Sequence, residues 1–142
     1  MAKDLHGLIR LHDWRVNERQ RALAALLGEI ATLEGKIRQL EAELEHEQQV
    51  ARDLPAEASL FFGTFAQGVR NRRKAIEMII VEVEKKVAEA RDQLREVYRE
   101  LKKYELAQEA RDAREAAERG RKEQIQLDEI GLRAFQRGRS GN

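Results

Sequence analysis

Apolar residues recur along the chain with a spacing that alternates three and four. In a first stretch, Ile9, Val16, Leu23, Ile30, Ile37, Leu44 and Ala51 take one core position of a seven-residue repeat. Leu5, His12, Arg19, Leu26, Leu33, Leu40, Glu47 and Leu54 take the other. A second stretch repeats the pattern with Arg73, Ile80, Val87, Leu94, Leu101 and Gln108, alternating with Val69, Ile76, Val83, Ala90, Val97 and Tyr104. The alternation runs without a slip, which predicts helices that supercoil left-handedly. No segment has strand periodicity, and no repeat of 20–50 residues is visible.

The single proline, Pro55, separates the two stretches. Proline removes a backbone donor and disfavours helix at the preceding residue. The pattern therefore predicts a helix over 4–54, a turn over 55–63, a helix over 60–136 and a frayed tail over 138–142. Ser59 or Thr64 is suited to cap the second helix, and Thr64 with Gln67 fits a capping box. The whole chain, 1–142, reads as one coiled-coil domain of all-α class.

Two long helices joined by a turn either fold back on each other or pair between chains. Folding back requires a register in which the seams match. One register faces Leu44 with Ile76, Ile37 with Val83, Leu26 with Leu94 and Leu23 with Val97. It also faces Glu47 with Arg73 and His12 with Gln108, although Arg19 still faces Leu101, and it leaves about eleven residues for the turn. The register one heptad away faces Leu40 with Arg73 and His12 with Leu101, leaving polar groups unpaired. The first register also sets the acidic stretch Glu41 to Glu47 beside Arg70, Arg72, Arg73 and Lys74. The expectation is an intramolecular antiparallel hairpin in the first register, monomeric when alone.

Such a hairpin has unequal arms, roughly 75 Å and 115 Å at about 1.5 Å per residue. The second helix should outrun the first from about residue 111. There Gln108, Arg111, Glu115, Glu118 and Lys122 enter the seam, and Gly120 lowers helix propensity by about 1 kcal/mol. Apolar residues return beyond it: Ile125, Leu127, Ile130, Leu132 and Phe135. A cluster with no partner in its own chain reads as an interaction site, ordered on binding.

Composition narrows the function. Charged residues make up 37% of the chain, with 27 Lys and Arg against 26 Asp and Glu. So many charges leave too few apolar residues for a globular core, while helical rods tolerate them. The absence of cysteine excludes thiolate metal sites and thiol nucleophiles and suits a reducing compartment. No apolar run reaches the ~20 residues of a membrane span, and the N-terminus lacks the apolar stretch of a signal peptide.

Catalytic chemistry finds no support. The three histidines, His6, His12 and His46, lack the i,i+4 spacing that sets two imidazoles on one metal. There is no phosphate-binding glycine loop, and carboxylates on a two-helix rod have no pocket to shift their pKa. The reading excludes an enzyme, a cofactor, a metal and a small-molecule substrate. The balanced charge argues against nucleic acid despite the basic cluster. Trp14, on the outer face, is a candidate anchor. Phe61, Phe62 and Phe65 crowd the turn, and Met78 and Val81 lie off the seam nearby.

Several pieces of the chain resemble the FliJ family of bacterial flagellar type III export proteins. They are Leu5-Ile9-Arg10 at the start, Phe61-Phe62-Gly63-Thr64-Phe65 at the turn and Ala75-Ile76 early in the second helix. Lys103-Tyr104-Glu105-Leu106, Glu123-Gln124 and Leu127-Asp128-Glu129-Ile130 complete the set. The chain departs from the pattern in having few aromatic residues.

The resemblance implies a stalk and coupling component of flagellar protein export, cytoplasmic and peripheral to the inner-membrane export apparatus. It implies that the open ends of the helices enter the hexameric ring of the export ATPase. Leu5, Leu8, Ile9, Leu11, Trp14, Ile125, Leu127, Ile130, Leu132 and Phe135 are the expected contacts there. It implies that the turn, through Phe61, Phe62, Phe65 and Val69, reaches the export gate, a membrane protein. Export chaperones are further implied partners. The alternatives are the equivalent stalk of a virulence type III secretion system and a helical-hairpin chaperone or adaptor.

Overall fold

The computed structural model describes residues 4–57 and 59–140. They form two helices, α1 (His6–Arg52) and α2 (Ser59–Ser140), of 47 and 82 residues. The fold class is all-α, with α1 and α2 pairing antiparallel. By their internal contacts the residues fall into two compact units, each drawing on both helices. One unit is Trp14–Val97, which contains the turn. The other combines the residues up to Asp13 with those from Tyr98 onward.

The ends of the helices follow from local chemistry. Oδ1 of Asp4 accepts from the His6 amide at 3.1 Å, satisfying one of the free donors of the first turn of α1. The last turn of α1 tightens, with the Asp53 and Leu54 amides bonding three residues back to Val50 and Ala51. Ser59 starts α2; its amide and its hydroxyl both donate to the Ala56 carbonyl. The Thr64 capping box does not form. Thr64 lies inside α2, and Gln67 donates to Asn71 instead. The helix also continues through Gly138 to Ser140, where fraying was expected. Residues 141–142 of the expected tail lie outside the described residues.

In the unit Trp14–Val97 the seam predicted from the heptads is the buried one. Val16, Leu40, Val69, Val83 and Val87 are buried, and Leu23, Leu26, Ile30, Leu33, Ile37 and Leu44 are half-buried. The seam begins one heptad earlier on α2 than expected. Ala66 is buried and Phe62 half-buried.

That earlier start corrects the register. Arg73 pairs with Glu41 at 2.7 Å, not with Glu47, and Arg19 donates to Gln93 at 2.9 Å. Both contacts belong to the register that faces Leu40 with Arg73. The polar penalty assigned to it is avoided because a long side chain leaves the seam. Arg73 carries its guanidinium to the flank, between Glu41 and Glu77. In exchange Phe62 comes to face Ala51, and Phe65 packs nearby. Full burial of one phenylalanine contributes about 1.5–3 kcal/mol.

The other unit shows the same register independently. The Leu5 amide donates to Oε1 of Gln108 at 2.9 Å. His12 is buried and stacks on Tyr104, with ring centroids 4.9 Å apart. His12 was expected opposite Gln108; in this register it meets an aromatic ring, which an imidazole tolerates better than an aliphatic partner.

Candidate functional site

The candidate surfaces are three, each built within one unit. The first is the far part of α2. Arg111 is the last half-buried residue, and every described residue from Asp112 to Ser140 is exposed. The expected loss of cover near residue 111 therefore falls at the predicted position. The cause is visible at the start of α1: Leu5 faces Gln108, so the described part of α1 ends opposite this point. Beyond it, Ile125, Leu127, Ile130, Leu132 and Phe135 are between 53% and 66% exposed. At 100° per residue, Ile125, Leu132 and Phe135 share one side of the helix, while Leu127 and Ile130 share the other. A helix with apolar residues on two sides and no cover has area to bury against a partner.

The second surface is the start of α1, in the same unit. Leu5, Leu8 and Ile9 are half-buried and Leu11 is exposed. The first three divide their area between α2 and solvent. Gln108 holds this end closed: it accepts from Leu5 and donates from Nε2 to Asp112 at 2.9 Å. Beside it, Nδ1 of His12 and one guanidinium nitrogen of Arg111 are buried without a hydrogen-bond partner. The carboxyl of Asp4 is held below its usual value, chiefly by the hydrogen bond from the His6 amide.

The third surface is the turn, in the unit Trp14–Val97. Phe61 is 80% exposed, whereas Phe62 and Phe65 are half-buried. With Val50, Ala51 and Leu54 they line an open groove. Val69 is 2% exposed and belongs to the seam. It was expected to touch a partner, but its heptad position turns its side chain inward, so it supports the surface from beneath. Leu60, 76% exposed, was missed as part of this surface. Its position beside Phe61 was the available signal. Met78, Ile79 and Val81 are exposed farther along α2. In the same unit Trp14 is exposed and lines a shallow groove with Arg15, Glu18, Arg19, Ala22 and Val97.

Among the described residues no group of three or more His, Asp or Glu side chains is placed to hold a metal ion. No described helix is long and apolar enough to cross a membrane.

Comparison with known proteins gives a consistent result. The family model described as "Flagellar FliJ protein" matches residues 1–140. Two relatives, the Flagellar FliJ proteins of Caulobacter vibrioides strains NA1000 / CB15N and ATCC 19089 / CIP 103742 / CB 15, are each 30% identical over 133 residues. The aligned region covers 94% of this chain and 95% of each relative. No solved structure matches.

Proposed function

The chain belongs to the flagellar FliJ family, and from that footing we propose that it is the stalk that couples the export ATPase to the export gate. A flagellar, export-related role goes with the family; the partners and the way they are bound are the proposal.

In this reading the uncovered part of α2 and the start of α1 enter the hexameric export ATPase ring. The aromatic turn docks on the export gate, and the protein works by binding alone, at the inner-membrane export apparatus. Export chaperones are further partners. The observation that carries the reading is the exposure of Ile125, Leu127, Ile130, Leu132 and Phe135 on the stretch of α2 beyond Arg111, where every described residue is exposed. Apolar residues on two sides of one helix suit enclosure within a ring better than docking on one flat face.

The test is direct binding to the purified export ATPase, with Leu127→Ser and Leu132→Ser, one from each side, introduced singly and together. Each single change weakens binding about tenfold, as expected for a buried apolar contact of about 1.4 kcal/mol. Unchanged affinity in the double variant would remove this site.

A further inference from the structure

The heptad pattern of the unit Trp14–Val97 fits two registers, and the structure occupies the one whose layers match less well. In the occupied register Leu40 faces Arg73 and Arg19 faces Leu94, two polar residues against leucine. In the register one heptad away Leu40 faces Ile80, Glu47 faces Arg73 and Leu26 faces Leu94. That second register leaves one charge of this unit against an apolar residue, Arg19 against Leu101. Three features within the unit hold the occupied one. Phe62 and Phe65, half-buried, line one groove with Val50, Ala51 and Leu54 at the turn, Arg73 finds Glu41 at the flank, and Arg19 donates to Gln93. The second register would draw Leu54 opposite Ala66, lengthen the turn to eleven residues and free Ser59 through Phe65 from the paired stretch. Layer matching and turn packing thus favour different pairings of the same sequence, the condition for a two-state element.

We propose that the coiled coil that includes Trp14–Val97 is a register switch: a slide of one heptad, which also parts Leu5 from Gln108, converts the half-buried aromatic turn into an open loop presenting Phe61, Phe62 and Phe65. The occupied register is the resting state, because the turn contacts and the flanking pairs outweigh the mismatched layers, Glu47 against Ala66 among them. A ligand that takes up the freed aromatic side chains binds the second register better and shifts the population towards it. The inference rests on the pairing alone, so it stands or falls separately from the identity of any partner.

The chain contains no cysteine, so engineered pairs report the register cleanly. Ile37→Cys with Ile76→Cys reports the occupied register, and Ile37→Cys with Val83→Cys reports the second. Ile37→Cys with Ala90→Cys, matching neither, measures random slippage. Each variant is oxidised mildly at low concentration, and the intramolecular disulfide is quantified, with helicity checked by circular dichroism. Should the first pair close poorly, Leu33→Cys with Ile80→Cys or with Val87→Cys repeats the comparison one layer along.

The first pair closes almost fully. The second closes in a minor fraction, at least tenfold above the slippage control. Adding Phe62→Ala and Phe65→Ala, which removes the packing that holds the resting state, raises the second yield severalfold and lowers the first. A second-pair yield equal to the slippage control, with or without the alanine changes, would overturn the switch.

Discussion

The Leu5 amide, the last free backbone donor before α1, bonds to Oε1 of Gln108 at 2.9 Å across 103 positions of sequence. One helix thus caps the other. Gln108 occupies a seam position where a leucine would bury more apolar area, and its amide is used on both sides, by Leu5 and by Asp112.

Replacing Gln108 by leucine removes that cap and leaves the Leu5 amide without its partner. The cost is about 0.5–2 kcal/mol, the range for losing a helix cap or a part-buried hydrogen bond. Hydrogen exchange over residues 5–9 should quicken, while exchange within Trp14–Val97 stays unchanged. Unaltered exchange at residues 5–9 would show that Gln108 contributes nothing to closure of this end.

His12 makes the opposite prediction. Its ring is buried on Tyr104, but Nδ1 has no hydrogen-bond partner. An unpartnered buried polar atom costs about 1–3 kcal/mol, more than the stacking contact contributes, about 0.5–1.5 kcal/mol. His12→Leu should therefore raise Tm. A fall would mean the imidazole is satisfied in solution.

The pair Arg73–Glu41 discriminates between registers by mutation. Both side chains are about half exposed, so the interaction contributes no more than about 0.2–1 kcal/mol. Exchanging the charges at Glu41 and Arg73 together should recover most of the stability lost in either single change. The same exchange at Glu47 and Arg73 should recover nothing in the resting state. Urea denaturation of the two cycles, compared at low salt, measures the difference.

Asp4 provides a pH dependence. The His6 amide, donating to its carboxylate, lowers the folded-state pKa below 3.8. The stabilisation is present above the unfolded-state value and is lost as pH falls through the lowered one. Acidification below about pH 4 should fray the first turn of α1, and Asp4→Asn should abolish that dependence. Fraying that persists in Asp4→Asn would assign it to another group.

Much of this molecule is legible in the heptads. Two helices, the seam from Leu5 to Leu44, and the loss of cover at Arg111 all follow from which positions are apolar. The register is not legible in that way, because heptads one repeat apart satisfy the same spacing. It was decided by residues that pattern reasoning set aside. Phe62 and Ala66 extend the seam, and Arg73 reaches Glu41 at the flank. Val69 changed role because its heptad position turns it inward. The candidate surfaces were legible as apolar clusters, at Ile125 to Phe135 beyond the reach of α1 and at Phe61 to Phe65 beside the turn. Leu60 was hidden because helix ends, and so the facing of their residues, are poorly marked in sequence.

The measurement that bears most directly on the stalk reading is truncation after Lys122, followed by assay with the purified flagellar export ATPase. Asp112 through Ser140 are exposed, so the urea midpoint of the truncated chain should match that of the full one. Binding to the ATPase and stimulation of its activity should be lost. A truncated chain that binds and stimulates as the full chain does would contradict the account.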